Sequence, residues 1–446
     1  MNDTKGIRTE ALLKRPTTAE PTVRQMFTLW FPLAASIVMM VLEPSTINIA
    51  LGRMADPELA LAAYGVAFSL ALLVEAPIIM LLDASVARSR DRDAFVVMRR
   101  FTLGLGLIVT AIGLLVSLTP LYGLIVEDLM NIPTDVAARA RPTLQILSFW
   151  PLPIAWRRAH QGVLIRAQRT AVITVATGVR LLSLAGGLFG GLLLIPDRGA
   201  IVAGLAMDLS VTIEALAITL ATRPVLRSDF FQADASEGGK PSLTTKELWH
   251  FYRPLAVTTI LRQTTRPVLN VGIAAAEMAR ASLAAWPVTW GFTILIAGPA
   301  WSLQQLTTAL AADELAYRRV RTFALSLSAV FGLLLALVVF TPLYDLVMGG
   351  IYNLSPELQD LARPAMQLMV IYPFLMGAQS LLRGVLIRGG CTGAVRAAMT
   401  ANVLTLAGSI LVGILFLSPT GVVLAAIATL TGALAELAWL RWKATC

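Results

Sequence analysis

Long apolar stretches, each about the length of a membrane-spanning helix, recur along the whole chain. We mark twelve of them, at 27–50, 59–82, 101–126, 142–165, 171–195, 199–222, 249–274, 281–311, 322–348, 364–387, 394–417 and 419–440. A helix that crosses the hydrocarbon of a bilayer needs roughly 20 predominantly apolar residues. Of the 446 residues, 57% are hydrophobic and only 14% are charged, whereas soluble domains carry roughly 25% charged residues. The sequence therefore predicts an all-α, polytopic membrane protein with twelve transmembrane helices.

The chain offers few side chains for catalysis or for binding a metal. It has two cysteines, Cys391 and Cys446, and two histidines, His160 and His250. We find no P-loop lysine motif and no HExxH, CxxC or GxSxG motif, so we expect no catalytic residues, no metal site and no cofactor. We predict that the chain is not an enzyme.

Lysine and arginine are concentrated in the two terminal tails and at alternate junctions between spans. The run from Arg88 to Arg100 is one such junction, and Arg157 and Arg383 are assigned to two others. Because basic loops stay on the cytoplasmic side, both termini should be cytoplasmic, and the junctions should contact anionic lipid headgroups. The formal charge of +9 then reflects orientation and not a nucleic-acid partner. The short tails favour a bacterial inner membrane, and we expect a monomer.

The second half of the sequence repeats the first at an offset of 222 residues. Gly162–Arg166 (GVLIR) recurs as Gly384–Arg388, and Thr119–Tyr122 (TPLY) recurs as Thr341–Tyr344. Further matches at this offset are Ala140–Pro142 with Ala362–Pro364, Leu61–Ala63 with Leu283–Ala285, Pro32 with Pro254, Pro77 with Pro299, Pro151 with Pro373, Gln145 with Gln367 and Glu214 with Glu436. Matches of this length at one offset indicate two copies of a six-span unit.

Six spans return the chain to the side on which it began, so both copies enter the membrane in the same sense. Transporters are commonly built from such parallel repeats, with the substrate site where the two halves meet. We predict two pseudo-symmetric six-helix bundles around a central cavity. The predicted segments are a cytoplasmic N-terminal tail (1–25), an N-terminal bundle (26–223), a cytoplasmic linker (224–248), a C-terminal bundle (249–441) and a C-terminal tail (442–446).

Ionisable residues within spans are costly and are therefore candidates for function. In the first span of the second half, Arg262 and Arg266 are spaced i, i+4, with Pro267 and Asn270 close behind. Two arginines on one helix face suit a carboxylate or phosphate group. We predict that Arg266, Arg262 and Asn270 contact an anionic substrate and that Pro267 is a helix hinge.

The first span of the first half carries the corresponding Glu43, Pro44 and Asn48. Asn48 is a predicted substrate contact and Pro44 a second hinge. Glu43 would pair with Arg266 across the cavity when the cavity is empty, or would take up a coupling H⁺; Na⁺ is the other candidate coupling ion. A bridge of purely structural importance between Glu43 and Arg266 is the alternative.

Four further residues complete the candidate set. Glu214 and Glu436, at matched positions in the last span of each half, are predicted coupling or cavity ion-pair residues, or partners of an arginine at a helix end. Arg180 would either line the cavity as a substrate contact or pair with Asp208. We interpret His160, which lies among arginines, as a solvated junction residue, and a proton relay is the alternative.

Several short motifs resemble those of a known family. They are Ala63–Leu70 (AYGVAFSL), Ser89–Arg92 (SRDR), Ala155-Trp156 with His160 and Gly162, Arg266–Asn270 (RPVLN), and Gly432 with Glu436. The chain resembles the multidrug and toxic compound extrusion (MATE) proteins and the wider superfamily of polysaccharide and lipid-linked oligosaccharide flippases. Within that superfamily it is most similar to the progressive ankylosis protein family. The resemblance implies a MATE-like fold and export of a small polyanion such as pyrophosphate, citrate or a nucleotide.

The sequence thus predicts a secondary transporter that works by alternating access. The alternatives are a cation-coupled multidrug exporter with Glu43, Glu214 and Glu436 as proton sites, a lipid-linked oligosaccharide flippase, and a channel-like scaffold. The first of these is disfavoured because the seventh span carries arginines and the tenth carries no acid.

Overall fold

A computed structural model describes residues 21–89, 91–167, 169–227, 243–311, 313–389, 391–417 and 419–445. Helices make up most of these residues. In chain order they are α1 (Val23–Leu51), α2 (Pro57–Ile79), α3 (Leu81–Arg88), α4 (Arg92–Leu118), α5 (Thr134–Leu147), α6 (Pro151–Arg166), α7 (Thr170–Leu194), α8 (Gly199–Arg227), α9 (Thr245–Gln263), α10 (Thr265–Ala274), α11 (Ala279–Ala297), α12 (Leu303–Leu310), α13 (Glu314–Phe340), α14 (Pro356–Met369), α15 (Tyr372–Arg388), α16 (Thr392–Phe416) and α17 (Gly421–Thr445).

Ten helical segments among the described residues are long and apolar enough to cross a membrane. The two other predicted spans are present as broken helices. The predicted span 142–165 is divided between α5 and α6 by a turn at residues 148–150, and the predicted span 249–274 is divided between α9 and α10 at Thr264. The predicted fold class, an all-α polytopic protein, is confirmed.

The predicted boundaries of the tails and the linker can be compared with the structure only where the structure describes the chain. Helix α1 begins at Val23, inside the predicted N-terminal tail, and residues 1–20 lie outside the described part of the chain. Of the predicted linker 224–248, residues 228–242 also lie outside it. Helix α9 starts at a capping box in which Thr244 and Glu247 bond each other's backbone. These bonds from Thr244 lower the pKa of the Glu247 carboxyl group. Helix α17 continues through the predicted tail to Thr445, and Cys446 is not described.

The two halves repeat one another in backbone geometry. After α4 the chain forms a π-helical turn at Leu124–Leu129, and after α13 it forms another at Leu346–Ile351, 222 residues later. Each turn is followed by an asparagine with positive φ, Asn131 at 52° and Asn353 at 56°. Asparagine is among the few residues that adopt this left-handed conformation at low cost.

The side chains that hold these turns are matched as well. Tyr122 donates a hydrogen bond to the Ala137 carbonyl at 2.6 Å, and Tyr344 donates to the Gln359 carbonyl at 2.6 Å. Each tyrosine ring lies under an arginine, with Arg141 5.3 Å and Arg363 4.6 Å from the ring centroid. The repeat seen in the sequence therefore corresponds to a repeat of structure.

The helices pack into two units. The central unit is Ala50–Val271, and the terminal unit consists of the described residues of Met1–Ile49 and Gly272–Cys446. This division differs from the predicted bundles 26–223 and 249–441. Nearly all of α1, the first span of the first half, packs with the second half. Helix α9 and most of α10, the first span of the second half, pack with the first half.

Matched hydrogen bonds explain this reciprocal exchange. In the central unit the Tyr252 hydroxyl of α9 donates to the carbonyl of Pro77 in α2. In the terminal unit the Trp30 indole of α1 donates to the carbonyl of Pro299 at 3.4 Å. Tyr252 and Trp30 are 222 residues apart, as are Pro77 and Pro299. The first span of each half thus donates a hydrogen bond to the carbonyl of a proline in the other half of the sequence.

Glycine allows the closest helix contacts, and substitution there tests the packing. In the central unit a Cβ atom on Gly162 of α6 would lie 2.9 Å from the Ser85 carbonyl carbon of α3. In the terminal unit a Cβ on the matched Gly384 would lie 2.6 Å from the Thr307 Cβ and 2.7 Å from the Gln304 oxygen.

We predict that Gly162→Ala and Gly384→Ala each lower the free energy of unfolding by about 1–3 kcal/mol, because the helices must move apart. Thermal melting of the purified proteins in detergent measures the effect. The control is Gly178→Ala in α7, where a Cβ would meet nothing within 4 Å. Melting temperatures of the two test variants equal to that of the control would contradict the packing described.

Candidate functional site

A buried carboxylate lies at the centre of an ionic cluster in the central unit. Glu214 projects from α8, and its side chain is 1% exposed. It forms an ion pair with Arg157 of α6 and lies 3.6 Å from an Nη atom of Arg180 in α7. The Thr177 hydroxyl donates to Glu214 Oε1 at 3.2 Å. Residues from two helices, α6 and α7, therefore surround the carboxylate, which is paired as a buried charge requires.

The terminal unit contains the matching carboxylate, Glu436 of α17, which is 2% exposed. Arg383 of α15 pairs with it, with Nε 2.8 Å from Oε1. The Asn402 amide of α16 donates to the other carboxylate oxygen at 2.9 Å. Gln379, one turn before Arg383, donates instead to the Ala433 carbonyl at 2.8 Å. This cluster is held by one guanidinium and one amide.

The two clusters use the same glutamate position but exchange the position of the arginine. Arg157 matches Gln379, and Arg383 matches Gln161, at the offset of 222. The two positions are one helical turn apart, so a side chain from either can reach the same partner. Both arginines were assigned from the sequence to junctions, with an inward position left open for Arg157, and the structure buries them: Arg157 is 5% exposed and the Arg383 side chain 19% exposed. The sequence did contain a sign of these ion pairs. Arginine and glutamine exchange places between the two halves, and the glutamate that the arginine contacts is repeated in both.

The structure also bears on the predicted partner of Arg180. Arg180 lies beside Glu214, and Asp208, its predicted alternative partner, has a buried Oδ1 with no hydrogen-bond partner among the described residues. His160 is 3% exposed and contacts the rings of Phe95 and Trp156, so its interpretation as a solvated residue was wrong.

Arg266 lies at the start of α10 and is half-buried against aromatic side chains. Its guanidinium carbon is 5.8 Å from the centroid of the Phe68 ring. Phe68 stacks on Tyr64 at 5.4 Å and packs against Trp150 at 5.6 Å. The Trp150 N–H is buried and has no hydrogen-bond partner among the described residues. A guanidinium in this setting is attracted by the ring faces.

Arg262 and Arg266 lie on successive helices. Helix α9 ends at Gln263 and α10 begins at Thr265. Pro267 lies in the first turn of α10. Because proline has no backbone N–H, it cannot donate a helical hydrogen bond to the end of α9. The break at Thr264 precedes Pro267, the predicted hinge, whereas α1 continues through Pro44 without interruption. The side chain of Arg262 is exposed and that of Arg266 is half-buried.

The two predicted asparagines are buried and hydrogen-bonded within different units. In the central unit Asn270 donates to the Ser69 hydroxyl at 2.7 Å. In the terminal unit Asn48 donates to the Pro287 carbonyl at 2.9 Å. Glu43, which is 6% exposed, belongs to the terminal unit, and Arg266 belongs to the central unit. The pairing of Glu43 with Arg266 stays a prediction.

Comparison of the fold with solved structures gives matches over nearly the whole chain. An inward-facing multidrug resistance MATE family transporter of the MOP superfamily is 16% identical, with a TM-score of 0.71 over 92% of this chain and 97% of that chain. A MOP superfamily transporter from Pyrococcus furiosus, described as having a binding pocket of reverse polarity, is 15% identical, with a TM-score of 0.63 over 100% and 99% of the two chains. The lipid II flippase MurJ in an inward closed conformation is 15% identical, with a TM-score of 0.68 over 92% and 87%.

The protein has the MATE-like fold. Comparison of its sequence with protein-family models and with curated proteins gave no match. The resemblance to the progressive ankylosis family therefore stays a prediction, while the fold that this resemblance implied is confirmed.

The terminal cluster allows a test of its ion pair. Glu436→Gln should lower the free energy of unfolding by about 3–5 kcal/mol, because it leaves the Arg383 guanidinium without its counter-charge. Replacing both residues, as Glu436→Gln with Arg383→Met, should recover most of that loss. Unfolding in denaturant measures both changes. Glu357→Gln, an exposed acid in the first turn of α14, is the control. A double variant no more stable than the single one would contradict this account.

Proposed function

We propose that the protein is a secondary transporter that exports a small polyanion, such as pyrophosphate, citrate or a nucleotide, by alternating access. The fold supports transport, since the similar structures are described as transporters and as a flippase. The preference for an anion rests on the half-buried Arg266. A guanidinium within the spanning region is costly, and such groups commonly mark the path of a substrate or ion.

Arg266 is the main substrate contact in this proposal. Its guanidinium offers several donors in a fixed plane, which suits carboxylate and phosphate groups. Phe68 holds one side of it without competing for those donors. Asn270 lies one turn further along α10 and can exchange its bond with Ser69 for one with substrate. Arg262, exposed at the end of α9, would meet the anion before Arg266 does.

The helix break at Thr264 supplies the flexible point that alternating access needs. Residues at the ends of helices absorb changes of backbone angle at low cost. In this proposal α10 tilts at Thr264 and Pro267 when the anion binds or leaves. Glu43 takes up the coupling proton, with Na⁺ as the other candidate ion.

We further propose that the protein is a monomer in a bacterial inner membrane, with both termini in the cytoplasm. The support for the orientation is the concentration of lysine and arginine at alternate junctions, as the positive-inside rule requires. These basic residues would contact anionic headgroups and not nucleic acid.

The similarity to MurJ favours a second candidate, a flippase for lipid-linked oligosaccharides. A diphosphate in the linkage of such a lipid would also suit Arg266. The two candidates differ in the rest of the ligand, because a flippase binds a lipid tail and a solute exporter does not. One of the similar structures is a multidrug resistance MATE family transporter. A third candidate function is therefore export of lipophilic cations. A half-buried arginine disfavours it, because like charges repel.

Flux in proteoliposomes distinguishes these candidates. We predict saturable uptake of radiolabelled pyrophosphate or citrate and no uptake of a cationic dye. Arg266→Gln should reduce anion flux about tenfold or more, the effect of losing roughly 1.4 kcal/mol of binding. The melting temperature should stay near that of the wild type.

The control for flux is Arg318→Gln, because Arg318 is exposed and pairs only at the surface with Glu314. Full anion flux in a folded Arg266→Gln variant would refute the role of Arg266. Transport of the dye, or of a lipid-linked oligosaccharide without transport of soluble anions, would replace the proposal with one of the other two candidates.

A further inference from the structure

Asp208 is an acidic residue deep inside a membrane-spanning helix. It belongs to α8, which forms part of a segment long and apolar enough to cross a membrane. It lies nine residues after Gly199, the start of the helix, or roughly 14 Å along the axis at 1.5 Å per residue. Because the hydrocarbon of a bilayer is roughly 30 Å thick, this position is close to its centre. An ionised carboxylate is costly there unless it is paired.

The Asp208 carboxyl group has no partner among the described residues. Its Oδ1 atom is buried and accepts no hydrogen bond, and Asp208 takes part in no ion pair within that part of the chain. The Thr212 hydroxyl, one turn away, donates to the backbone carbonyl of Asp208 at 2.9 Å. Glu214 of the same helix is different, since it pairs with Arg157. A buried carboxyl group without a counter-charge is stable as the neutral acid.

The ionisable groups around α8 do not bond to Asp208. Helices α2, α5, α6 and α7 and the turn at Pro196–Arg198 pack against α8. Arg180 of α7 lies beside Glu214 and 4.0 Å from the Met207 sulfur. Met207 and Glu214 lie on one side of α8, and Asp208 lies on the neighbouring side. The other ionisable side chains described on these elements are Glu58, Tyr64 and Glu75 of α2, Asp135, Arg139 and Arg141 of α5, Arg157, Arg158 and His160 of α6, and Asp197 and Arg198 of the turn. None of the described side chains bonds to the Asp208 carboxyl group.

The matched position in the terminal unit shows that the framework needs no acid here. The residue 222 positions after Asp208 is Leu430 of α17, and both residues are half-buried. The neighbouring Glu214 and Glu436 match at the same offset, so α8 and α17 are in register. A neutral side chain therefore fits this position, and the acid in α8 is not explained by packing.

Asp208 also borders the exposed face of its helix. Leu205 and Leu209 are 49% and 55% exposed, whereas Met207 and Val211 are buried. The carboxyl group thus lies at the edge between the packed face and the exposed face of α8, where it can be reached from outside the unit.

We propose that Asp208 is a proton-binding site, and that in this structure it holds its proton as a neutral carboxylic acid. Acidic side chains that bind and release H⁺ within a membrane form proton relays in transporters. The inference goes beyond the proposed function, in which Glu43 takes up the coupling proton, and it does not depend on that function. Asp208 belongs to the central unit and Glu43 to the terminal unit.

The first test is chemical labelling of the full-length protein in liposomes at neutral pH. Dicyclohexylcarbodiimide dissolves in lipid and reacts with carboxyl groups that carry a proton. Mass spectrometry of the peptides should show modification of Asp208. Glu214 and Glu436, which are paired with arginine, and the exposed Glu357 are internal controls that should stay unmodified. An unmodified Asp208 would overturn the proposal, and this measurement needs no variant.

The second test is the pH dependence of stability in detergent. An unfolded chain releases the aspartate proton above about pH 4, whereas the folded protein keeps it. The folded state then binds more protons, so the melting temperature of the wild type should fall as the pH rises from about 5 to 8. Asp208→Asn, and Asp208→Leu, which copies Leu430, should each reduce this dependence by the contribution of one proton.

Equal pH dependence in the wild type and in Asp208→Asn would overturn the proposal. So would a wild type whose melting temperature rises more steeply with pH than that of Asp208→Asn, because Asp208 would then be ionised in the folded state. Neither test measures flux. Their failure leaves the proposed function standing, and failure of the flux assay leaves this proton site standing.

Discussion

A charged side chain in a helix that is otherwise apolar must find its counter-charge inside the protein, and this constraint organises both units. Glu214 and Glu436 are almost fully buried. Glu214 pairs with Arg157 of α6, and Glu436 pairs with Arg383 of α15. Leaving one member of such a pair alone costs several kcal/mol. The pair therefore fixes the rotation of α8 against α6 in the central unit and of α17 against α15 in the terminal unit. Neighbouring side chains then pack on helices whose faces are already determined.

The same reasoning accounts for the first span of each half. Helix α1 carries Trp30 and Asn48, whose N–H groups need acceptors, and it finds them at the carbonyls of Pro299 and Pro287. Helix α9 carries Tyr252, which finds the carbonyl of Pro77. The acceptor in each of these three bonds is the carbonyl oxygen of a proline residue. Hydrogen bonds to such carbonyls thus join each first span to helices from the other half of the sequence.

The sequence was sufficient to predict the all-α polytopic fold and the offset of the repeat, and it singled out Glu214 and Glu436, which the structure places in ion pairs. These features depend on composition along the chain and on matches at one offset. The exchange of the first spans could not be predicted, because the repeat is satisfied equally well whether α1 packs with its own half or with the other. Contacts such as those of Trp30 with Pro299 and Tyr252 with Pro77 distinguish the two arrangements, and they join residues far apart in the chain.

Pairing of each glutamate with an arginine was among the predictions, but which arginine would serve was missed for a related reason. A hydropathy window places charged residues at span ends, so Arg157 and Arg383 were assigned to junctions. Their burial follows from the breaks before α6 and α15, which shift these helices relative to an uninterrupted span. Similarly, the i, i+4 spacing of Arg262 and Arg266 predicts a shared helix face only if the helix is continuous, and the break at Thr264 divides it.

The two clusters differ in how a common framework holds its buried glutamate. An arginine at position 157, or at the position that matches 161 in the second half, can reach the matched glutamate. Either position therefore serves equally well to hold α8 or α17 in place. The step from Asn402 to Arg180 is different in kind. An amide satisfies a carboxylate oxygen without changing the net charge, whereas a second guanidinium brings a charge that Glu214 alone cannot neutralise. A structural role is already complete in the terminal unit without that charge. In the central unit that additional charge is offset by further carboxylates, because Glu75 and Asp83 interact electrostatically with Arg158, the residue that follows Arg157 in α6.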